Sequence, residues 1–252
     1  MDQPALAGRA CVVTGAAGGI GGAIARRFAA AGARVACVDL AAPEAVAAAI
    51  RAAGGTALAL AADVSREADT LTVARTVIDA WGGVQVLVNA AAPREPVGTV
   101  LDLAPADFAQ VFAVQVTGAY LTSRALLPAM IAGGGGSIIH IASQLGRVGA
   151  PGRPAYCAAK GALIQLARAM ALDHAAQGVR VNALSPGAVE TDRLLARDGS
   201  LAAVRARNVP LHPIGRLGRP EEIAEAALFL AADTSSFMTG ADLLVDGGYT
   251  AR

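Results

Sequence analysis

Short apolar runs alternate with longer segments of helical period along the chain. The short runs fall at 10–14, 34–39, 56–63, 84–89, 136–143, 179–185 and 242–246. Several are almost continuous in Val, Ile, Leu and Ala, the pattern of parallel strands covered on both faces. Between them, helical spacing predicts helices at about 19–31, 43–53, 66–81, 105–131, 154–176 and 220–232. Gly32, Gly54-Gly55 and Gly82-Gly83 supply stop signals. No linker or composition shift interrupts the alternation. It predicts one α/β domain over 1–252, with a doubly wound parallel sheet of about seven strands. The stretch 191–218 breaks the rhythm and holds Pro210 and Pro213. It reads as a short helical insertion beyond a strand's carboxyl end, where a lid over a ligand belongs.

Composition narrows the classes. Of 252 residues, about a quarter are Ala and 29 are Gly, so the 54% hydrophobic share is inflated by small side chains. Only 16% are charged, which excludes intrinsic disorder. No apolar stretch nears the ~18 residues of a membrane span, and no secretory leader pattern opens the chain. The formal net charge is +1 with both signs mixed, so no basic stripe is available for nucleic acid. Cys11, Cys37 and Cys157 lack CxxC spacing, so neither a disulfide framework nor a metal site is expected. Cys11 and Cys37 sit in apolar runs and read as buried. The expected compartment is the reducing cytoplasm.

Two constellations carry chemistry. The first run leads into Thr14-Gly15-Ala16-Ala17-Gly18-Gly19-Ile20-Gly21 and then a helix. Glycines let the backbone turn tightly against a pyrophosphate, and the helix N-terminus offers it free N–H groups. Alone, a Gly-rich turn in so Gly-rich a chain is a weak signal. Asp39 strengthens it, because an acid ending the second run accepts from ribose hydroxyls and repels a 2′-phosphate. Neither the turn nor the Leu40-Ala41-Ala42 that follows Asp39 supplies a basic residue, so NAD is favoured over NADP. Asp63, before Val64, suits either an adenine contact or a helix N-cap.

The second constellation is Ser143 followed by Tyr156-Cys157-Ala158-Ala159-Lys160. Tyr and Lys four residues apart share a helix face. An ammonium near a phenol favours the phenolate, so Tyr156 suits proton exchange with an alcohol or ketone. Ser143 can orient the same oxygen.

With these motifs the chain resembles the short-chain dehydrogenase/reductase family over nearly its whole length. The resemblance implies a Rossmann fold, an NAD cofactor and alcohol–ketone chemistry without metal. Residues 14–21 match the cofactor turn, including Gly15, Gly18, Gly19, Ile20 and Gly21. Asp39 and Leu40 match the NAD-selecting position. Asp63, Val64 and Asn89 match adenosine-side contacts. Pro186, Gly187, Val189 and Thr191 match the segment that holds the nicotinamide. Ser143, Tyr156 and Lys160 match the catalytic set, with Lys160 also binding ribose hydroxyls. Segments 215–222 and 237–248 match C-terminal signatures. Two departures stand out. The family's N-N-A-G reads Asn89-Ala90-Ala91-Ala92, and its V-N-x-T-G reads Val114-Gln115-Val116-Thr117-Gly118. The family's Asn there holds a relay water beside the lysine. Gln115 keeps the amide on a longer arm, so the relay is expected in altered geometry or through another water.

The expected substrate is a secondary alcohol (polyol, sugar or cyclic alcohol) or its ketone. Ala91, Arg94, Gln144, Leu145, Pro151, Gly187, Leu194 and Leu195 are its candidate pocket. Arg94 suits either an anionic substrate group or an exposed loop. A 3-oxoacyl-thioester reductase and a non-catalytic NAD-binding scaffold are the alternatives. His140 reads as packed, His212 as a solvated lid residue, and Trp81 and Tyr249 as packing groups. The family resemblance further implies a homotetramer through 105–131, 154–176 and the last strand.

Overall fold

Seven strands pair in one all-parallel sheet of order β3-β2-β1-β4-β5-β6-β7. They are β1 (Ala10–Thr14), β2 (Arg34–Asp39), β3 (Thr56–Ala61), β4 (Val86–Asn89), β5 (Gly136–Ile141), β6 (Val179–Pro186) and β7 (Asp242–Val245). The computed structural model describes residues 4–251, and at residue 197 the backbone alone. Residues 1–3 and 252 of the expected domain lie outside the described residues. β3 and β5 stop two residues before the apolar runs do, because side chains turn the backbone there. The Asp63 carboxylate accepts from the Ser65 N–H and hydroxyl. Ser143 Oγ accepts from the Leu145 N–H and caps the short turn Gln144–Gly146.

Helices cover both faces, as the two-sided apolar runs require. On one face, α1 (Gly19–Ala30), α2 (Glu44–Ala52) and α9 (Pro220–Ala231) pack on Cys11, Val13, Val35 and Cys37. On the other, α3 (Glu67–Trp81), α5 (Gly118–Ala132) and α6 (Pro154–His174) cover Val12, Ala36, Leu87 and Ile138. Burial pushes the Cys11 thiol up to about 12 and the Cys37 thiol to about 11, so both behave as small apolar groups. No helix among the described residues is long and apolar enough to cross a membrane.

The predicted helix 105–131 is not continuous. It divides into α4 (Pro105–Phe112), a π-helical turn (Ala113–Thr117) and α5. A π turn takes one residue more per repeat and re-aims the side chains around it. Here it carries Gln115, which is buried. Periodicity averaged over the whole segment does not register a single extra residue. The insertion 191–218 forms two helices, α7 (Asp192–Asp198) and α8 (Leu201–Asn208), with a short turn at Val209–Leu211. A two-bond bridge fastens its ends: Glu190 N–H donates to Gly218 O and Gly218 N–H to Ala188 O, each at 2.9 Å.

His212 corrects the expectation of a solvated histidine, for it is buried. Its Nε2 accepts from the Ala188 N–H at 3.1 Å, which leaves the proton on Nδ1 to donate to Asn208 O at 2.7 Å. The ring thereby ties α8 to the segment leaving β6.

A buried polar network joins β4, β5 and α5. Asn89 Oδ1 accepts from Thr122 Oγ1 at 2.5 Å. Asn89 Nδ2 donates to Ser123 Oγ at 3.3 Å and His140 Nδ1 at 3.1 Å. Burial, then the Lys160 charge, pushes the His140 imidazole down to about 4 and keeps it neutral. Asn89→Ala strips partners from buried groups on two elements, Thr122 and Ser123 on α5 and His140 on β5. It is expected to cost about 1–3 kcal/mol in chemical denaturation, and a change below a few tenths would contradict the network's role.

Candidate active site

The sheet's order reverses between β1 and β4, so the loops after them part and leave a crevice at the carboxyl ends. A cavity of about 300 Å³ occupies it. One end is built from the turn after β1 and from Asp39 at the end of β2. The other collects Ser143 after β5, Tyr156 and Lys160 from α6, Pro186 and Gly187 from β6, and Thr191, Asp192 and Arg193 at the start of α7.

At the first end, backbone replaces side chains. Gly15 has φ +69°, and a Cβ there would lie 2.6 Å from the Ala90 carbonyl oxygen. Gly21 touches the turn so closely that a Cβ would meet Gly15 O at 2.1 Å. Thr14 Oγ1 fixes the facing loop by accepting from the Ala90 and Ala91 N–H groups at 3.1 and 3.3 Å. The start of α1 therefore faces the cavity through Gly18, Gly19 and Ile20, with no side-chain cap on its first N–H groups. Asp39 stands beside it, its oxygens accepting from the Ala17 and Leu40 N–H groups at 2.9 and 2.8 Å. A bare helix start beside a fixed carboxylate suits a pyrophosphate followed by a ribose diol, so these residues fit a dinucleotide.

At the second end, α6 presents Tyr156 and Lys160 on one face. Ala155 and Ala159 on the same helix pack against Val111 and Val116, which brings α6 close to the π turn. Lys160 is buried, and its Nζ donates to Ile141 O at 2.7 Å while lying 5.5 Å from the centre of the Tyr156 ring. Burial first, then the Arg193 charge, pulls the ammonium down to about 7, and Glu95 partly opposes this. Ser143 lines the cavity beside them.

The comparisons with known proteins agree with this geometry. A family model described as enoyl-(acyl carrier protein) reductase matches residues 15–250. The chain is 44% identical to cis-4-hydroxycyclohexanecarboxylate dehydrogenase of Sinomonas cyclohexanicum, over 98% of both chains. It superposes on a short-chain type dehydrogenase/reductase from Mycobacterium marinum with a TM-score of 0.93 and 36% identity, covering 100% of this chain and 99% of that one. The chain belongs to the short-chain dehydrogenase/reductase family. A second structural relative, from Beutenbergia cavernae, is named provisionally as an NAD(P)-dependent gluconate 5-dehydrogenase and was solved with NADP at low occupancy. It aligns over all of both chains with a TM-score of 0.92 and 37% identity. Membership makes the protein an oxidoreductase that uses a nicotinamide cofactor.

Other motif positions of this short-chain dehydrogenase/reductase lie off the cavity wall. Asp63 spends its carboxylate on the Ser65 turn, and Val64 packs against Gly118. Asn89 commits its amide to α5 and β5. Leu40 and Arg94 are exposed, while Leu145 and Leu194 are half-buried. Val189 is buried beneath the bridge to Gly218. Gln144 is buried with its Oε1 unpartnered, close to Gly187. Gln115 is buried with neither amide atom bonded to protein. Sequence reasoning missed Arg193, Arg153 and Glu95. Their one signal was charge in loops around the catalytic motif, which spacing does not rank.

Lys160 makes stability pH-dependent. Below about pH 7 folded and unfolded chains both carry the ammonium, and the fold bears its full burial cost. Between about 7 and the ordinary lysine value of 10.5 the folded chain has lost the proton and the unfolded chain has not, so stability rises with pH. Lys160→Met removes this dependence. Its stability relative to wild type, from urea unfolding of ligand-free protein, is expected to be greatest at pH 6. It should then decline by pH 10 by an amount on the order of a few kcal/mol. A pH-independent difference would show that the ammonium is not disfavoured.

Proposed function

We propose that the protein is an NAD-dependent dehydrogenase that interconverts a secondary alcohol (a polyol, sugar or cyclic alcohol) and its ketone. The observation that carries this reading is that Ser143, Tyr156 and Lys160 border the same cavity as the Gly-rich turn and Asp39. Ser143 Oγ donates to the substrate oxygen and orients it. Tyr156 takes the hydroxyl proton in oxidation and returns it in reduction. Lys160 stabilises the phenolate by its charge and, with a nucleotide bound, holds the ribose hydroxyls. The bound cofactor supplies the hydride acceptor or donor. The bare start of α1 holds the pyrophosphate.

Gln115 extends this machinery. A buried amide with no protein partner is costly unless water satisfies it. Its π turn packs on α6, the helix that carries Lys160. Gln115 therefore holds a water that passes protons to Lys160. The insertion 191–218 serves as the lid over the cavity, with His212 as its fastening.

NAD is favoured over NADP because the fixed Asp39 carboxylate repels a 2′-phosphate. We further infer a homotetramer in a reducing cytoplasm. Exposed Tyr120 on α5, Leu172 on α6 and Phe237 before β7 support the assembly. A monomer in sedimentation would remove it.

Tyr156→Phe is expected to lower turnover of an oxidised alcohol by roughly 100- to 10,000-fold while NADH binding, followed by fluorescence, is retained. Unchanged turnover would remove Tyr156 from proton transfer. The absence of NAD- or NADP-linked turnover across secondary alcohols, ketones and 3-oxoacyl thioesters would instead favour a binding protein. Asp39→Ser is expected to lower the NAD-to-NADP ratio of kcat/KM by about tenfold or more. A wild-type preference for NADP would overturn the assignment.

A further inference from the structure

The surroundings of Tyr156 hold more positive charge than proton transfer needs. Three cations flank its ring. The guanidinium carbon of Arg153 lies 5.1 Å from the ring centre, Lys160 Nζ 5.5 Å and the guanidinium carbon of Arg193 5.6 Å. They come from separate stretches of chain: the residue before α6, α6 itself and the start of α7. One carboxylate, Glu95 on the loop after β4, answers both arginines. It bonds Arg153 Nε and stands 3.5 Å from Arg193 Nη2.

The two arginines are placed differently. Arg153's side chain is 13% exposed and Glu95's 8%, so that pair is closed to solvent and each charge offsets the other. Arg193 is the third charge of the group and its contact with Glu95 is the longer one. Its side chain is 40% exposed and lines the cavity. Asp192 beside it is exposed at the same rim, and Asp39 lies at the far end with both oxygens engaged. Arg193's field reaches Lys160, where it opposes the ammonium. An anion placed between Arg193 and the phenol would meet two or three cations and one already paired carboxylate. Apart from Ser143 and Thr191, the rest of the wall there is apolar or small, with Ala92, Ile141 and Ala142.

We propose that Arg193 receives an anionic group of the substrate, a carboxylate or sulfonate on the same molecule as the reacting hydroxyl. The preferred substrate is thus a hydroxy acid, an inference that rests on the alcohol dehydrogenase reading above. Glu95 holds the Arg193 fork toward the cavity in the free protein, and its bond to Arg153 fixes Glu95 in place. The planar guanidinium matches either oxyanion with two parallel N–H donors.

The test compares 4-hydroxycyclohexanecarboxylate, 4-hydroxycyclohexanesulfonate and 4-hydroxycyclohexanecarboxamide as substrates, with the full chain and saturating cofactor. One or both acids are expected to exceed the amide in kcat/KM by about 10- to 100-fold, the range of a charge-assisted hydrogen bond. Arg193→Gln should erase that ratio through KM, and Arg193→Lys should restore part of it. Equal use of acid and amide by wild type, or an equal loss on both in Arg193→Gln, overturns the proposal. Calorimetric binding of cyclohexanecarboxylate, cyclohexanesulfonate and cyclohexanecarboxamide to the NADH complex separates the two readings. Acid binding that depends on Arg193 without turnover of any alcohol overturns the dehydrogenase reading and upholds the anion subsite. Absence of preferential acid binding overturns the subsite.

Discussion

The reversal of strand order between β1 and β4 is the constraint on which the site depends. From β1 the chain winds outward to β2 and β3, then returns to β4 and winds the other way. Loops on the two sides of the reversal cannot close over each other, and a crevice follows from topology alone. Two close approaches keep it narrow and shaped. The Thr14 hydroxyl holds the loop after β4 by two backbone donors, and Gly15 lets that loop come within contact distance of the turn. A larger residue at position 15 would push the turn away from the loop after β4.

Electrostatics then divide the crevice into two ends. Asp39 makes one end locally negative beside the start of α1, whose first N–H groups carry no side-chain cap. Arg153, Lys160 and Arg193 make the other end positive around one phenol. Lys160 is the costly member, since its ammonium is buried and has one carbonyl partner. A buried, disfavoured charge of this kind is characteristic of functional clefts. The helix that carries it is held close by alanines, which allow the π turn with Gln115 to approach.

Much of the fold was legible in the chain. β1 and β2 end where the apolar runs end, and the other strands agree within two residues. Runs buried on both faces leave one solution, a parallel sheet between helix layers, so local composition and global architecture point the same way. The break at Ala113–Thr117 was not legible, because one extra backbone residue leaves the average helical period nearly intact. His212 was misread for a related reason. A polar residue in a Pro-containing loop looks solvated until its two backbone partners, one on each side of the bridge, are seen.

The site divides in the same way. By itself the sequence determined the groups whose spacing is local: the glycines of the first turn, the acid ending the second strand, and Tyr156 and Lys160 one helical turn apart. Each of these groups sits in a short local motif, so its pattern survives in one dimension. Only the tertiary structure decided that Glu95, Arg153 and Arg193 converge on Tyr156, that Asn89 spends its amide on α5 and β5, and that Gln115 is buried unpartnered. These depend on segments up to about a hundred residues apart meeting across the carboxyl ends of the strands. Long-range convergence of single charges leaves no periodic trace in the chain.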